Sequence, residues 1–170
     1  MILFVVSYLY IIFEVFMIEK QITDFSNSIF QAAFKQYFQE LGIIVSDWED
    51  LFKQMNKDKE TIAFIRYNNN NDCIGFIQVK PTIFSDDFFE EPYGFIRELW
   101  VNKKYRLCGH GAALMKLAEE YFYKNGIYKS ILTTSTAPEF YKKLGYEFSF
   151  GCKAKNNDPV YIKKLKLIES

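Results

Sequence analysis

One run constrains this chain more than any other: Val101-Asn-Lys-Lys-Tyr-Arg106-Leu-Cys-Gly109-His-Gly111-Ala112. Upstream, Gly94-Phe-Ile-Arg-Glu-Leu-Trp-Val101 is rich in strand-forming residues. Downstream, Ala112, Ala113, Leu114, Leu117, Ala118, Tyr121 and Phe122 recur at helical spacing until Asn125-Gly126 closes the pattern. An arginine and two glycines thus lie between a strand and a helix N-terminus. Unpaired N–H groups and the positive end of the helix dipole favour an anion there, and glycines let its oxygens reach the backbone without a Cβ in the way.

Two phosphate-binding turns are excluded by the residues themselves. A dinucleotide fingerprint needs a third glycine where Leu114 stands, and Glu119 and Glu120 fall inside the helix rather than at the end of a second strand. An ATP-type loop needs Gly-Lys-Ser/Thr, whereas His110 and Ala112 follow the two glycines. What remains is Arg106-x-x-Gly109-x-Gly111, with Val101 ending the strand before it. A second segment follows at a fixed remove. Ser130-Ile-Leu-Thr-Thr-Ser-Thr136 reads as a strand, and Ala137-Pro-Glu-Phe-Tyr-Lys-Lys-Leu-Gly-Tyr-Glu147 as a short helix with Pro138 in its first turn and Gly145 at its left-handed end.

Together the two segments resemble the pyrophosphate loop and the Phe-Tyr-x-x-Leu-Gly-Tyr/Phe helix of the GNAT superfamily of acyl-CoA N-acyltransferases. The likeness spans about residues 18–167 and is strongest over 94–147. It implies an α/β (α+β) fold, a mixed, mostly antiparallel central sheet with helices on both faces, in the order β-α-α-β-β-β-α-β-α-β-β. It also implies acetyl-CoA, held at Leu99, Trp100 and Val101 and at Arg106, Leu107, Cys108, Gly109, His110, Gly111 and Ala112, chiefly through backbone groups. Many members carry an Asn before the last helix; this chain has Thr134, Ser135 and Thr136, and Thr136 is the candidate hydroxyl for that contact. By the same resemblance, Tyr141 protonates the thiolate leaving group, unless it is a core aromatic beside Phe140. Glu98 takes the amine proton, directly or through water, unless it is paired with Arg97 or a lysine. Transfer is direct, so Cys108 is a spacer rather than a nucleophile.

Composition bounds the remainder. At 170 residues, 49% of them hydrophobic, the chain is one domain with core enough to fold unaided. Lys plus Arg and Asp plus Glu are 21 each, so nucleic-acid binding gains no electrostatic support. Three scattered cysteines and a single histidine, His110, supply neither a metal constellation nor a disulfide framework, and fit a cytoplasmic protein. The apolar run Met1 to Ile18 lacks a basic start and a cleavage site, and Glu14 interrupts it. We read residues 1–16 as translated upstream sequence, with Met17 as the natural start and residues 17–170 as the domain. The other reading is a hydrophobic anchor, and only then is a membrane a partner.

Along the chain, Ile18–Thr23 reads as a strand and Ser26–Leu41 as a helix ended by Gly42. Ser46-Asp-Trp-Glu49 has capping-box spacing before a helix with Trp48, Leu51, Phe52 and Met55 on its stripe. Thr61–Tyr67 and Cys73–Val79 form a hairpin about the asparagine tract, and Glu147–Lys153 and Val160–Leu167 are the closing strands. Pro81 to Pro92 reads as a long irregular loop. Its Asp86, Asp87, Glu90 and Glu91, with Trp48, are the candidate acceptor-side residues, placed to draw in a cationic amine. The expected reaction is N-acetylation of a primary amine on a small molecule or peptide; a homodimer is compatible. A non-catalytic acyl-CoA sensor on the same fold is the alternative, and the joint presence of Tyr141 and Glu98 favours the enzyme.

Overall fold

The computed structural model describes residues 17–85 and 87–166. The question of residues 1–16, the position of Asp86 and the expected end of the last strand at Leu167 lie outside these. The elements are β1 (Ile18–Ile22), α1 (Ser28–Glu40), α2 (Trp48–Lys57), β2 (Ile62–Tyr67), β3 (Cys73–Ser85), β4 (Glu90–Val101), α3 (His110–Lys124), β5 (Lys129–Thr133), α4 (Pro138–Lys143), β6 (Glu147–Phe148) and β7 (Val160–Lys164), with a 3-10 turn at Lys103–Tyr105. This is the expected order. The strands form one sheet, β1-β2-β3-β4-β5-β7-β6, in which only β4 and β5 run parallel.

Alternation along the strands sends side chains to two cores. Ala63, Ile65, Phe76 and Trp100 face α1 and α2, where Phe30, Phe34 and Phe52 meet them; Ile62, Phe64, Ile77 and Val79 face Leu114, Met115, Ala118 and Phe122 of α3. Helices therefore cover both faces. α1 is capped by Asn27, whose side chain accepts from Phe30 N at 3.0 Å, and its first residue, Ser28, comes two residues later than Ser26. α2 is capped not by Ser46 but by Asp47, whose carboxylate accepts from Asp50 N at 2.9 Å. An aspartate one position on offers a charged acceptor to the same first turn, and Glu49 and Asp50 add favourable charge there.

The expected loop from Pro81 to Pro92 is instead a long hairpin. β3 runs to Ser85 and β4 starts at Glu90, with Pro81 opposite Gly94 and Ile83 opposite Pro92. Prolines argue against a strand only where both sides are paired. β3 loses its β2 partner after Val79, and β4 gains β5 only at Gly94, so each proline has a side with no ladder bond to lose. The closing strand expected over Glu147–Lys153 shrinks to Glu147–Phe148.

Two irregularities shape the sheet's centre. Gln78 pairs with Glu98 but Val79 pairs with Ile96, so Arg97 is an extra residue in β4, a bulge. Beyond it the faces exchange: Ile96 lies in the α3 core, while Trp100 lies in the α1 core. The second irregularity is a split. β4 and β5 are joined only at Gly94–Ser130 and Phe95–Ile131, so from Ile96 to Val101 the β5-side edge of β4 stands open. The apex of this split is clamped by a buried chain, in which Tyr146 Oη donates to Ser130 Oγ at 2.7 Å and Ser130 Oγ to the Gly94 carbonyl at 3.2 Å.

Candidate active site

The anion-binding loop has the geometry its sequence requires. Gly109 caps α3 at φ 83°, with no side-chain hydrogen bond to the helix's first turn and no atom within 4 Å of where a Cβ would lie. Leu107, at φ 63°, is fully exposed, and Cys108 is exposed. The loop thus presents backbone donors with an empty cradle over them, which fits the pyrophosphate of CoA. Arg106 crosses the loop's base: its Nε donates to the Val101 carbonyl and its Nη2 pairs with Glu40 at the end of α1, both at 2.8 Å.

Gly111 plays a different part. A Cβ there would meet Phe140 of α4 at 3.2 Å and Val101 at 3.8 Å, so the missing side chain lets α3 close on α4. His110 rests its ring against Tyr105, and burial, then the Arg66 charge, holds its pKa below the ordinary value. A neutral imidazole at the loop adds no cation.

The Leu99 and Val101 side chains pack toward the α3 core and Trp100 against Phe76 and the α1 core. Only the backbone of these residues borders the split, free to pair with an extended ligand as an added strand would. Thr136 is exposed; its N–H, with that of Ala137, goes to Thr134 Oγ1 at 3.3 and 3.1 Å. Thr134 therefore closes the turn that leads into α4, an Asx-like turn made with a hydroxyl.

The two candidate catalytic side chains lie within electrostatic reach of each other. Glu98, turned to the α1 face by the bulge, accepts a short hydrogen bond from Tyr37 Oη. Burial raises the Glu98 carboxyl above its ordinary value, against the lowering effects of the Tyr37 hydrogen bond and the Arg97 charge. The expected competitor is otherwise engaged, since Arg97 turns to Thr61 Oγ1 at 3.2 Å and Asp58 at 3.8 Å. Tyr141 projects from α4 between Phe140 and Tyr146. Burial, and secondarily the Glu98 charge, pushes its phenol up to about 12. Tyr37 is likewise raised, by burial, by its bond to Glu98 and by the Glu98 and Tyr141 charges. Tyr37, Glu98 and Tyr141 thus form one coupled cluster.

Tyr37 was not singled out from sequence, because it sits on α1's apolar stripe among Phe34, Phe38 and Leu41 and reads as core. Its hydroxyl, which a buried phenol must satisfy, was the available signal.

The acceptor-side candidates are not brought to this cluster. Trp48 stacks on Phe52 and meets Phe38 edge-on, beneath Lys35. Glu90 and Asp87 are at the hairpin tip, and Glu90 is on the order of 25 Å of strand from Glu98. Glu91 is engaged by Lys129 and by Tyr93 Oη at 2.7 Å, and the Lys129 bond holds its carboxyl below the usual range.

A mixed sheet split beside an anion-binding helix N-terminus, with a half-buried carboxylate and a phenol within electrostatic reach of each other, defines a class: acyl-CoA-dependent acyltransferases. The profile of the Acetyltransferase (GNAT) family matches residues 20–146. The chain belongs to that family. Similar solved structures include an acetyltransferase of Clostridium acetobutylicum with acetyl-CoA, TM-score 0.68 at 16% identity, covering 82% of this chain and 95% of that one. A GNAT-family acetyltransferase of Staphylococcus aureus gives 0.64 at 16%, covering 89% and 99%. Arabidopsis thaliana NAA60 with a bisubstrate analogue gives 0.62 at 14%, covering 88% and 98%. At these identities the likeness is one of fold. No curated protein matches the sequence.

Proposed function

We propose that the protein is an N-acetyltransferase that moves an acetyl group from acetyl-CoA to a primary amine by direct attack. The observation that carries this is the electrostatic interaction of Glu98, on the open stretch of β4, with Tyr141 of α4. The fold neighbours from Clostridium acetobutylicum and Arabidopsis thaliana support it, the first holding acetyl-CoA and the second a bisubstrate analogue. Bound acetyl-CoA supplies the thioester carbon and a thiolate leaving group; every other task falls to this chain.

The α3 N-terminus and the Gly109 cradle bind the diphosphate, and the open β4 edge aligns the extended arm. An alkylamine near pH 7 is almost wholly protonated, so a group must take its proton before attack. Glu98 does so, with a carboxyl made more basic by burial. The Leu99 N–H is the candidate donor to the carbonyl oxygen as charge gathers there. Tyr141, still protonated at neutral pH, gives its proton to the departing sulfur. Tyr37 touches no reacting atom; it positions Glu98 and tempers its basicity.

The test is acetyl-CoA consumption over a panel of amines. Tyr141→Phe should lower kcat roughly ten- to ten-thousand-fold while leaving acetyl-CoA affinity intact. Unaltered turnover with chemistry rate-limiting would return Tyr141 to the role of core aromatic.

A further inference from the structure

The α1 face of the sheet is not evenly covered. α1 and α2 pack over the β1–β4 side, but Tyr93, Ile131 and Val160 form a separate small cluster on β4, β5 and β7. Over them lies not a helix but the segment around Ala154, between β6 and β7. The result is a cavity of about 810 Å³, walled by Phe84, Tyr93, Phe95, Ile131, Ala154 and Val160. A wall whose surface is largely apolar, at that size, is the make-up of a small-molecule site.

Its position ties it to the cluster described above. Phe95 and Ile131 are the last rung joining β4 to β5, so the cavity ends where the split begins. Glu98 lies on the same face, three residues further along β4, roughly 7–10 Å of strand once the bulge is allowed for. Lys153 and Lys155 also line the cavity, and among the described residues its one lining carboxylate, Glu91, is engaged by Lys129. The field there is cationic rather than acidic. A polyamine would bring a second positive charge beside these lysines, whereas an apolar body would displace water from the aromatic wall.

We infer that the acceptor is a primary amine borne by a short alkyl arm on an apolar, aromatic-sized body, with that body seated in this cavity and the nitrogen reaching Glu98. This rests on the acetyl-transfer reading above and narrows its substrate class.

The experiment compares 2-phenylethylamine, ethylamine and spermidine as acceptors, with acetyl-CoA binding measured separately by calorimetry. Burying one aromatic ring removes enough apolar surface to favour phenylethylamine over ethylamine in kcat/KM by roughly a hundredfold, and spermidine should fall with or below ethylamine. Filling the cavity by Ala154→Phe should raise the KM of phenylethylamine at least tenfold. Cys152, exposed on the cavity's rim, gives a readout independent of turnover. Phenylethylamine should slow its alkylation by N-ethylmaleimide, read by peptide mass mapping, and Ala154→Phe should abolish that protection. Acetyl-CoA binding with ethylamine or spermidine preferred overturns the substrate class and leaves the acetyl-transfer reading standing. Absence of acetyl-CoA binding overturns both.

Discussion

Replacing Tyr37 with Phe removes one hydroxyl and little volume, and it isolates the basicity of Glu98. In the native protein that hydroxyl donates to Glu98 Oε2 and so favours the ionised carboxylate, while burial opposes it. A hydrogen bond to a charged group is worth about 1.5–3 kcal/mol, and 1.36 kcal/mol corresponds to a tenfold change in a protonation equilibrium. Losing the bond should therefore make Glu98 bind its proton about ten- to a hundredfold more tightly. Since the deprotonated carboxylate is the working form, the acid limb of the kcat/KM profile should move to higher pH, by about one to two units. At a pH well above that limb the rate should fall far less. The assay is acetyl transfer across pH 5–9 with saturating acetyl-CoA, alongside a melting curve to confirm the fold. An acid limb that stays in place in Tyr37→Phe would refute the coupling of Tyr37 to the base, and an absent acid limb in both proteins would remove Glu98 from that role.

Glu98→Gln should cut kcat roughly a hundredfold or more yet raise thermal stability at neutral pH, since a carboxyl raised in the fold contributes stability below its unfolded pKa and loses it as pH rises through the folded one; a melting series from pH 4 to 8 checks the sign. Cys108→Glu places a negative charge on the exposed loop without touching the core and should weaken acetyl-CoA about tenfold by calorimetry, with Tm unchanged. Asp58, held at about 2 chiefly by its hydrogen bond with Lys80 at 2.8 Å, ties the end of α2 to β3. Its depressed pKa gives stability above the ordinary value of 3.8 that is lost as pH falls toward 2. Asp58→Asn should cost about 1 kcal/mol at pH 7 after allowance for solvent, and flatten the acid limb of the stability curve.

The parts of the site legible in sequence were those that local chemistry fixes. Gly109 must be left-handed to end the loop, Pro138 and Gly145 bound a short helix, and the periodicity of Leu114, Ala118 and Phe122 places α3 on the sheet. The tyrosine that closes the Leu-Gly-Tyr signature has a physical reason visible only in three dimensions: Tyr146 is 2% exposed and reaches Ser130 at the apex of the split. What sequence could not give was set by partners far along the chain. Whether Pro81 and Pro92 break a strand depends on where β2 and β5 stop. Whether Glu91 is free to attract a substrate depends on Lys129, and whether Gly111 meets Phe140 depends on how α4 returns.

The extra residue in β4 makes the active site vulnerable to a kind of change that substitution scans never sample. Side chains on a strand obey parity, and Ile96 and Glu98 escape it only because Arg97 lies between them as an extra residue while their partners, Val79 and Gln78, are adjacent. Deleting Arg97 would leave every named catalytic residue in the sequence and restore strict alternation. Either Glu98 would turn into the α3 core in place of an apolar side chain, or Ile96 would leave it. In descent from a common ancestor, gain or loss of a single codon here would therefore switch a carboxylate between the reacting face and the core in one step. Relatives sharing the glycine loop but lacking that codon should carry their base elsewhere.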